Sequence, residues 1–259
     1  MRIDPLEMCI ESKGATSTRR IAIGSVAGAR YTSCDIEGMR RQLDEQLARE
    51  GRFSAATLTN PSIFRIARYL LTQAGEFEVQ GAMTGGEAEV VAIRHGGEIF
   101  IGLGSDQCDR ELDPFFPDKP KQMCPHPLAQ IAWPYDEVRD HWDEVRIYSH
   151  VVAGGHEVQL QDSALSALVD LDYLLEMEEV QALPDPMFLY CGCSPFVDSV
   201  DEEVAQLGLP EETGHGVGEA FHMRLYDPVL ERTIEHNFSA VPIGDDREER
   251  RDRPAVPRS

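Results

Sequence analysis

The chain lacks several features that mark particular classes of protein. No apolar run approaches the roughly 20 residues that a membrane-spanning helix needs. The opening stretch MRIDPLEMCIESKGA has no apolar core that could serve as a signal peptide. None of the six cysteines stands in a CxxC pair, which favours buried free thiols over a zinc site. We therefore expect a cytoplasmic protein with reduced thiols and no membrane partner.

Positive charge is also scarce, because 24 Lys and Arg stand against 46 Asp and Glu, for a formal net charge of -22. Such a field repels phosphate backbones and anionic lipid, so we expect no nucleic-acid partner. The chain is nevertheless long enough to bury a full core, with 259 residues and 42% hydrophobic content. It should fold without disulfide or metal staples, as one large domain or one domain with a smaller appendage.

The pattern of apolar residues divides the chain into three regions. Residues 1–75 read as an N-terminal α/β region with a flexible extreme N-terminus, in which RIAIGSVAG (20–28) is a strand and 34–51 a helix. Residues 76–243 form the main region. The last region, 244–259, is a charged tail that lacks the apolar residues of a core, and we expect it to be disordered.

Within the main region, short apolar segments separated by glycines predict strands. EFEVQGAM, GEAEVVAI and GGEIFIGLG read as an antiparallel meander with glycine turns. Farther on, PYDEVRDHWDEV looks helical, RIYSHVVAGGHEVQLQ looks like a hairpin, and SALVDLDYLLEME looks like an amphipathic helix. The glycine-rich stretch TGHGVGEAF (213–221) reads as a plain loop or as the cover of a site.

Two carboxylates in the meander suggest chemistry. Glu87 and Glu89 are two residues apart, so they share one face of a strand, where they repel each other unless a positive group lies between them. A divalent cation would solve this, and Asp106 at the end of the next strand could supply a third oxygen ligand. Three carboxylates suit Mg²⁺ or Mn²⁺ better than Zn²⁺. The alternative is an ordinary solvated strand face.

Together with their order and spacing, these motifs resemble the core of the fumarylacetoacetate hydrolase superfamily. There, an ExE strand precedes a strand that ends in N-D-x-x-x-R-D, and here Asp106 stands four residues before Arg110 in GLGSDQCDREL. KQMCP is similar to the family's downstream lysine and proline-rich loop, and CGCSPFV (191–197) is similar to its late Gly-Thr-Pro loop. The resemblance covers about residues 20–243 and is closest to an uncharacterised bacterial branch.

The resemblance implies an α+β, mainly β fold, a mixed β-sheet roll with flanking helices, and a homodimer. It also implies Mg²⁺ or Mn²⁺ bound by Glu87, Glu89 and Asp106, with Arg110 and Lys121 as catalytic residues. Family members handle 2-oxo acids and β-diketo acids through an enolate that the metal stabilises. Lys121 would add positive charge beside the enolate, or shuttle a proton if burial lowers its pKa; the alternative is a surface lysine.

The expected substrate-binding residues are Arg110, Asp113, His126, Gly192 and Cys193. Two of them depart from the family pattern, because Asp113 replaces an amide and Cys193 replaces a common threonine. We expect His126 at the rim of the site. The family's water-activating His-Glu pair cannot be assigned, since no histidine precedes His95.

These departures leave the reaction open. Hydrolysis or lyase-type cleavage of a carbon–carbon bond is expected first, and tautomerisation, decarboxylation or dehydration of a pathway-specific metabolite is the alternative. A non-catalytic relative that binds a small acid is the second class of function. For the homodimer, we expect an apolar patch that includes Phe115, Phe116 and Trp133.

Overall fold

The computed structural model describes residues 3–38, 41, 61–113 and 118–243. Within these ranges, the largest element is a nine-stranded sheet. Its strands are β1 (Leu6–Ser12), β2 (Ala15–Ile21), β3 (Ser25–Arg30), β4 (Ser62–Ile66), β5 (Leu71–Thr72), β8 (Ala88–His95), β9 (Glu98–Ser105), β11 (His126–Pro134) and β14 (Met187–Tyr190). The main path runs β2-β1-β11-β9-β8-β14-β3-β4, and β5 pairs with β11.

A second sheet has five strands in the described residues: β6 (Glu76–Val79), β12 (Arg146–Ala153), β13 (His156–Ala164), β15 (Ala220–Asp227) and β16 (Arg232–Pro242). Their order is β13-β12-β15-β16-β6, and the short strands β7 (Thr84–Gly85) and β10 (Cys108–Asp109) pair separately. The α-helices are α1 (Tyr135–Val138), α2 (Leu171–Glu176), α3 (Glu178–Gln181) and α4 (Val200–Leu207). Short 3₁₀ helices span Arg68–Leu70, Pro120–Gln122, Arg139–Glu144 and Leu165–Ala167.

Two apolar clusters explain why β8 is apolar on both faces. Val90 and Ala92 point into the cluster that lies between the two sheets, with residues of β12 and β15 opposite them. Val91 and Ile93 point into a second cluster, which also contains residues of both edge strands, β2 and β4. The large sheet therefore curls around this second cluster, and the fold is a mixed β-sheet roll with few helices, as the sequence indicated.

The local hairpins that the sequence predicts are confirmed. Strands β8 and β9 pair antiparallel, as do β12 and β13. The predicted meander is wrong in its first strand, because β6 pairs parallel with β16 in the other sheet and leaves β8 to pair with β14. The predicted helix in 166–178 is broken into a 3₁₀ turn, α2 and the start of α3.

The predicted region boundary at residue 75 does not separate two sheets, because strands from both sides of it share the large sheet. Most of the predicted helix at 34–51 and the charged tail at 244–259 lie outside the described residues, as do Phe115 and Phe116. Trp133 cannot contribute to an exposed patch, since it is fully buried between the two sheets. Among the described residues, no helix is both long and apolar enough to span a membrane.

Candidate metal centre

Three carboxylates meet where β8 begins and β9 ends. Glu89 lies on the same face of β8 as Val91 and Ile93, so it continues the row that lines the curled sheet. Asp106 follows the last residue of β9, and its backbone N–H donates to the Glu87 carbonyl oxygen at 3.0 Å. Three carboxylate oxygens, one each from Glu87, Glu89 and Asp106, lie within 4.8 Å of one another.

Two cations lie against this cluster. The 3₁₀ helix Pro120–Gln122 brings Lys121 into the interior, where Nζ lies 2.7 Å from Asp106 Oδ2 and 3.5 Å from Glu87 Oε2. Arg110 follows β10 and donates from Nη2 to Glu87 Oε1 at 2.7 Å. The alternative of a surface lysine is therefore wrong. With three acids and two bases, the group carries one excess negative charge when every member is ionised.

The pKa values of the three acids are pushed apart by these neighbours. Burial raises the pKa of Glu89, and the negative charges of Asp106 and Glu87 raise it further, well above its ordinary value. Burial also acts to raise the pKa of Glu87 and of Asp106. At both residues, however, the lowering effects together outweigh burial. They come from Lys121 and Arg110 at Glu87 and from Lys121 and His126 at Asp106, so both pKa values are lowered.

Lys121 shows the opposite shift from the one that a proton shuttle requires. Burial alone would lower the pKa of its ammonium group, but the charges of Asp106 and Glu87 outweigh burial and raise the pKa above its ordinary value. Lys121 is therefore a fixed positive charge at neutral pH, and the proton-shuttle alternative is not supported.

The cluster fits a divalent cation. Its donor set consists of carboxylate oxygens, which Mg²⁺ and Mn²⁺ prefer. Asp106 Oδ1 is buried and makes no hydrogen bond within the described ranges, although His126 Nδ1 lies 3.2 Å from it, and Oδ2 holds Lys121. A bound cation would give Oδ1 a partner. The residues that would hold the metal are therefore Glu87, Glu89 and Asp106.

His126 is close to the cluster but does not lie at its rim. Its side chain is fully buried, and Nε2 lies 2.7 Å from the Lys121 carbonyl oxygen, to which it donates. Nδ1 lies 3.2 Å from Asp106 Oδ1. The rim prediction is wrong because His126 begins β11 behind the cluster, where it supports Asp106 and the turn that carries Lys121.

The loop after β14 brings Gly192 and Cys193 to the cluster. The backbone N–H of Gly192 donates to Glu89 Oε2 at 2.8 Å, and its φ of +100° suits glycine. The Cys193 thiol donates to the Ser194 carbonyl oxygen at 3.0 Å. Burial raises the pKa of Cys193, and the charges of Glu87 and Glu89 add to this effect, so the thiol stays neutral.

The turn after β10 carries the remaining predicted residues. Asp109 Oδ1 accepts the backbone N–H groups of Glu111 and Leu112, so Asp109 caps the turn. Asp113 closes the same turn by donating its N–H to the Asp109 carbonyl oxygen at 3.1 Å. Burial acts to lower the pKa of Arg110, but Glu87, Cys108 and, to a smaller extent, Asp113 outweigh burial and raise this pKa.

Sequence reasoning missed the segment that leaves β3. Tyr31 has a φ of +57°, which is uncommon for a residue with a side chain, and Lys121 and Asp113 are among the charges that act on its hydroxyl. The hydroxyl of Thr32 is buried against Gly192 and has no hydrogen-bond partner among the residues that the structure describes. The only sequence signal was that RYTS follows an apolar strand, as Asp106 does.

Solved structures share this architecture. One is 2-keto-3-deoxy-D-arabinonate dehydratase complexed with magnesium and 2,5-dioxopentanoate, with a TM-score of 0.56 and 13% identity over 89% of this chain and 78% of that chain. Another is 2-hydroxyhepta-2,4-diene-1,7-dioate isomerase from Mycobacterium marinum, with a TM-score of 0.56 and 12% identity over 90% of this chain and 82% of that chain.

A third is a protein from Yersinia pestis CO92 assigned to the fumarylacetoacetate hydrolase family, with a TM-score of 0.54 and 11% identity over 85% of this chain and 94% of that chain. The chain thus has the fold of the fumarylacetoacetate hydrolase superfamily. More narrowly, the sequence model of the family "Protein of unknown function (DUF2848)" matches residues 29–238, and the chain belongs to this family. No curated protein sequence matches the chain.

Proposed function

We propose that this protein is a Mg²⁺- or Mn²⁺-dependent enzyme that acts on a 2-oxo acid or β-diketo acid through an enolate, in a hydrolytic or lyase-type reaction at a carbon–carbon bond. One observation supports it above all: three clustered carboxylates share their site with a buried lysine and a half-buried arginine. A divalent cation bound there would supply Lewis-acid stabilisation of the enolate charge.

Lys121 has the properties of an electrostatic catalyst. Its ammonium group is buried, is held in place by Asp106 and Glu87, and stays protonated at neutral pH. A fixed charge of this kind needs no reorganisation when negative charge develops on the substrate, and it acts more strongly away from bulk water. Its role is to stabilise the enolate, and a proton must be carried by another group.

Arg110 is suited to orient the substrate. Its Nη2 is engaged by Glu87, whereas its Nε is buried and has no hydrogen-bond partner in the part of the chain that the structure describes. That N–H is a donor available to a substrate carboxylate. Asp113 and Cys193 stand where the family has an amide and a threonine, so the substrate should differ from the usual ones of the superfamily.

The structural relatives support this reading. The dehydratase was solved with magnesium and a dioxo acid, and the isomerase is named for an unsaturated dicarboxylic acid that carries a 2-hydroxy group. Both names describe compounds that can exist as an enol or an enolate. Identity to each is below 15%, so these names suggest the substrate class and leave the particular reaction open.

Deuterium exchange tests the proposal without knowledge of the true substrate. The protein is incubated in D₂O with a panel of acylpyruvates and oxaloacetate, with Mg²⁺, with Mn²⁺ or without metal, and the proton next to the keto group is followed by NMR. We expect exchange that requires metal and falls roughly 10²–10³-fold in Lys121→Met, because a preorganised charge is lost. Arg110→Lys should instead raise the substrate concentration needed for half-maximal exchange.

The matched control is Lys119→Met, which removes the same charge from an exposed lysine two residues away and should leave exchange unchanged. Equal exchange in wild type, Lys121→Met and metal-free protein would refute the proposed enzymatic activity. In that case, the protein would be a non-catalytic relative that binds a small acid.

A further inference from the structure

Forming an enolate at the metal centre by removal of the proton next to the keto group requires a base, and the residues of that centre are already engaged. Lys121 Nζ faces two carboxylates, and the Arg110 guanidinium is bound to Glu87. The three carboxylates are the proposed metal ligands, and His126 is buried behind Asp106 with Nε2 bound to a carbonyl oxygen. The group that removes the proton must come from another segment, and this step of the argument rests on the proposed function.

The glycine-rich loop from Thr213 to Phe221 packs against the segment that leads to the first carboxylate of the metal centre. Val217 donates its N–H to the Ala82 carbonyl oxygen at 2.8 Å, which fixes the loop against the segment that leads into β7. A Cβ added to Gly85 would lie 2.4 Å from the His215 carbonyl oxygen and 3.3 Å from Arg110 Nε. The His215 backbone and the Arg110 side chain are therefore both packed on Gly85, two residues before the first carboxylate of the cluster.

The imidazole of His215 has a ring contact but no polar partner among the described residues. It is exposed, and its nitrogens make no hydrogen bond or ion pair with any residue that the structure describes. Its ring lies nearly parallel to that of Phe196, with the centroids 6.5 Å apart and an interplanar angle of 12°. Phe196 belongs to the same late loop as Cys193, so the His215 ring packs on that loop while its backbone packs on Gly85, two residues before Glu87.

We propose that His215 is the general base of this enzyme. Its neutral imidazole takes the proton from the carbon next to the substrate's keto group, and the electron pair of that C–H bond becomes the enolate. The imidazolium then returns the proton to the product carbon or to solvent, so this proton exchange needs no further reactant. Imidazole is the side chain best suited to this exchange near neutral pH.

The test compares His215→Gln with His95→Gln, which changes a histidine at the opposite end of β8 from Glu89. Each Mg²⁺-loaded variant is titrated with oxalate, an unreactive mimic of the planar enolate, by calorimetry. Deuterium exchange into pyruvate is then measured by NMR. His215→Gln should bind oxalate within about threefold of wild type, while its exchange falls roughly 10²–10⁴-fold, the usual contribution of a general base. His95→Gln should match wild type in both assays.

A second variant separates chemistry from loop structure. Because the imidazole is exposed, His215→Ala leaves a space that added imidazole can reach. Free imidazole should restore exchange several-fold in His215→Ala and leave His95→Gln unchanged. Exchange in His215→Gln equal to wild type, or a failure of imidazole to rescue His215→Ala, would overturn the assignment of the base alone. Wild-type protein that shows no metal-dependent exchange would overturn the proposed function and the base together.

Discussion

Glu89 is a buried acid surrounded by other acids. Among the described residues, its carboxylate accepts one hydrogen bond, from the Gly192 N–H. The pKa of this carboxylate is raised well above the ordinary value near 4.3. An acid whose pKa is higher in the folded protein than in the unfolded chain opposes folding once the pH exceeds the unfolded value. A bound cation would remove this cost, because it stabilises the carboxylate form. Metal binding and protonation therefore compete at Glu89.

Glu89→Gln tests this competition. Bound Mg²⁺ at 100 times its Kd adds about 2.7 kcal/mol of stability to the wild type. We expect this gain to disappear in Glu89→Gln, as measured by urea unfolding with and without Mg²⁺. In metal-free buffer at pH 7, the same variant should be more stable than wild type, and the difference should vanish near pH 4. A full Mg²⁺-dependent gain in the variant would argue against the cluster as the metal site.

Asp227 carries another buried carboxylate, far along the chain from the metal centre. Its Oδ1 accepts the N–H groups of Val229 and Leu230 and a bond from His141 Nε2 at 2.9 Å, and Arg232 donates to Oδ2. Burial acts to raise its pKa, but the Leu230 N–H, His141 and Arg232 outweigh burial, and the pKa is lowered. This carboxylate stabilises the turn between β15 and β16.

Asp227→Asn should lower the free energy of unfolding by about 2 kcal/mol at pH 7, because hydrogen bonds to a charged acceptor are lost. A lowered pKa stabilises the fold above the unfolded value near 3.9, and this contribution is lost as the pH falls through the folded value. The gap between wild type and variant in urea unfolding should therefore narrow below about pH 4. Exposed Asp140→Asn is the control and should stay within about 0.5 kcal/mol at both pH values.

At the scale of the elements, the site depends on how closely β9 packs against its neighbours. A Cβ added to Gly104 would lie 2.6 Å from the Tyr190 ring, 2.7 Å from the Pro127 carbonyl oxygen and 2.8 Å from Val91. The Tyr190 hydroxyl donates to the carbonyl oxygens of His126 and Pro127, so the ring cannot move away easily. Gly104 thus allows β9, β11 and β14 to meet directly behind the carboxylates.

Gly104→Ala should therefore destabilise the protein by about 2–3 kcal/mol, because a tightly packed interior tolerates no added methyl group without strain. It should also weaken Mg²⁺-dependent stabilisation, since Asp106 follows two residues later, directly after the strand ends. Gly75→Ala is the control, because the added Cβ would meet nothing closer than 3.9 Å. Equal unfolding midpoints for the two variants would contradict this account of the packing.

At the scale of the whole molecule, the described surface carries apolar area next to the metal centre. Tyr69 is 60% exposed and Met123 is 45% exposed. The Gln122 side chain accepts the Ala67 N–H and donates to the Arg65 carbonyl oxygen, so the two exposed side chains lie on neighbouring segments. This surface is better evidence for association than buried Trp133, and the homodimer remains a prediction.

We predict a homodimer, with a mass of twice the 28.9 kDa monomer by light scattering at micromolar concentration. Tyr69→Lys together with Met123→Lys should shift the mass toward the monomer, because two buried charges oppose an apolar interface. Tyr173→Lys is the control on another exposed aromatic side chain, which is 53% exposed. A monomeric wild-type protein at these concentrations would contradict the predicted homodimer.

The sequence by itself determined the local parts of this protein. Apolar segments separated by glycine turns were sufficient to predict the β8–β9 hairpin. The two-residue period of a strand was sufficient to predict that Glu87 and Glu89 share one face. The spacing of Asp106 and Arg110 then indicated both the cluster and the superfamily. These features need only neighbours along the chain, so their physical cause is present in the sequence.

Only the tertiary structure decided which distant segments meet at the cluster. The β6 pairing with β16, the burial of His126 and the approach of the Gly192 N–H to Glu89 all depend on how the large sheet curls and packs. The direction of the shift in the pKa of Lys121 was left open for the same reason, since its sign depends on two carboxylates 15 and 34 residues away along the chain. Contacts between distant segments are chosen by packing of the complete core, which no local pattern records.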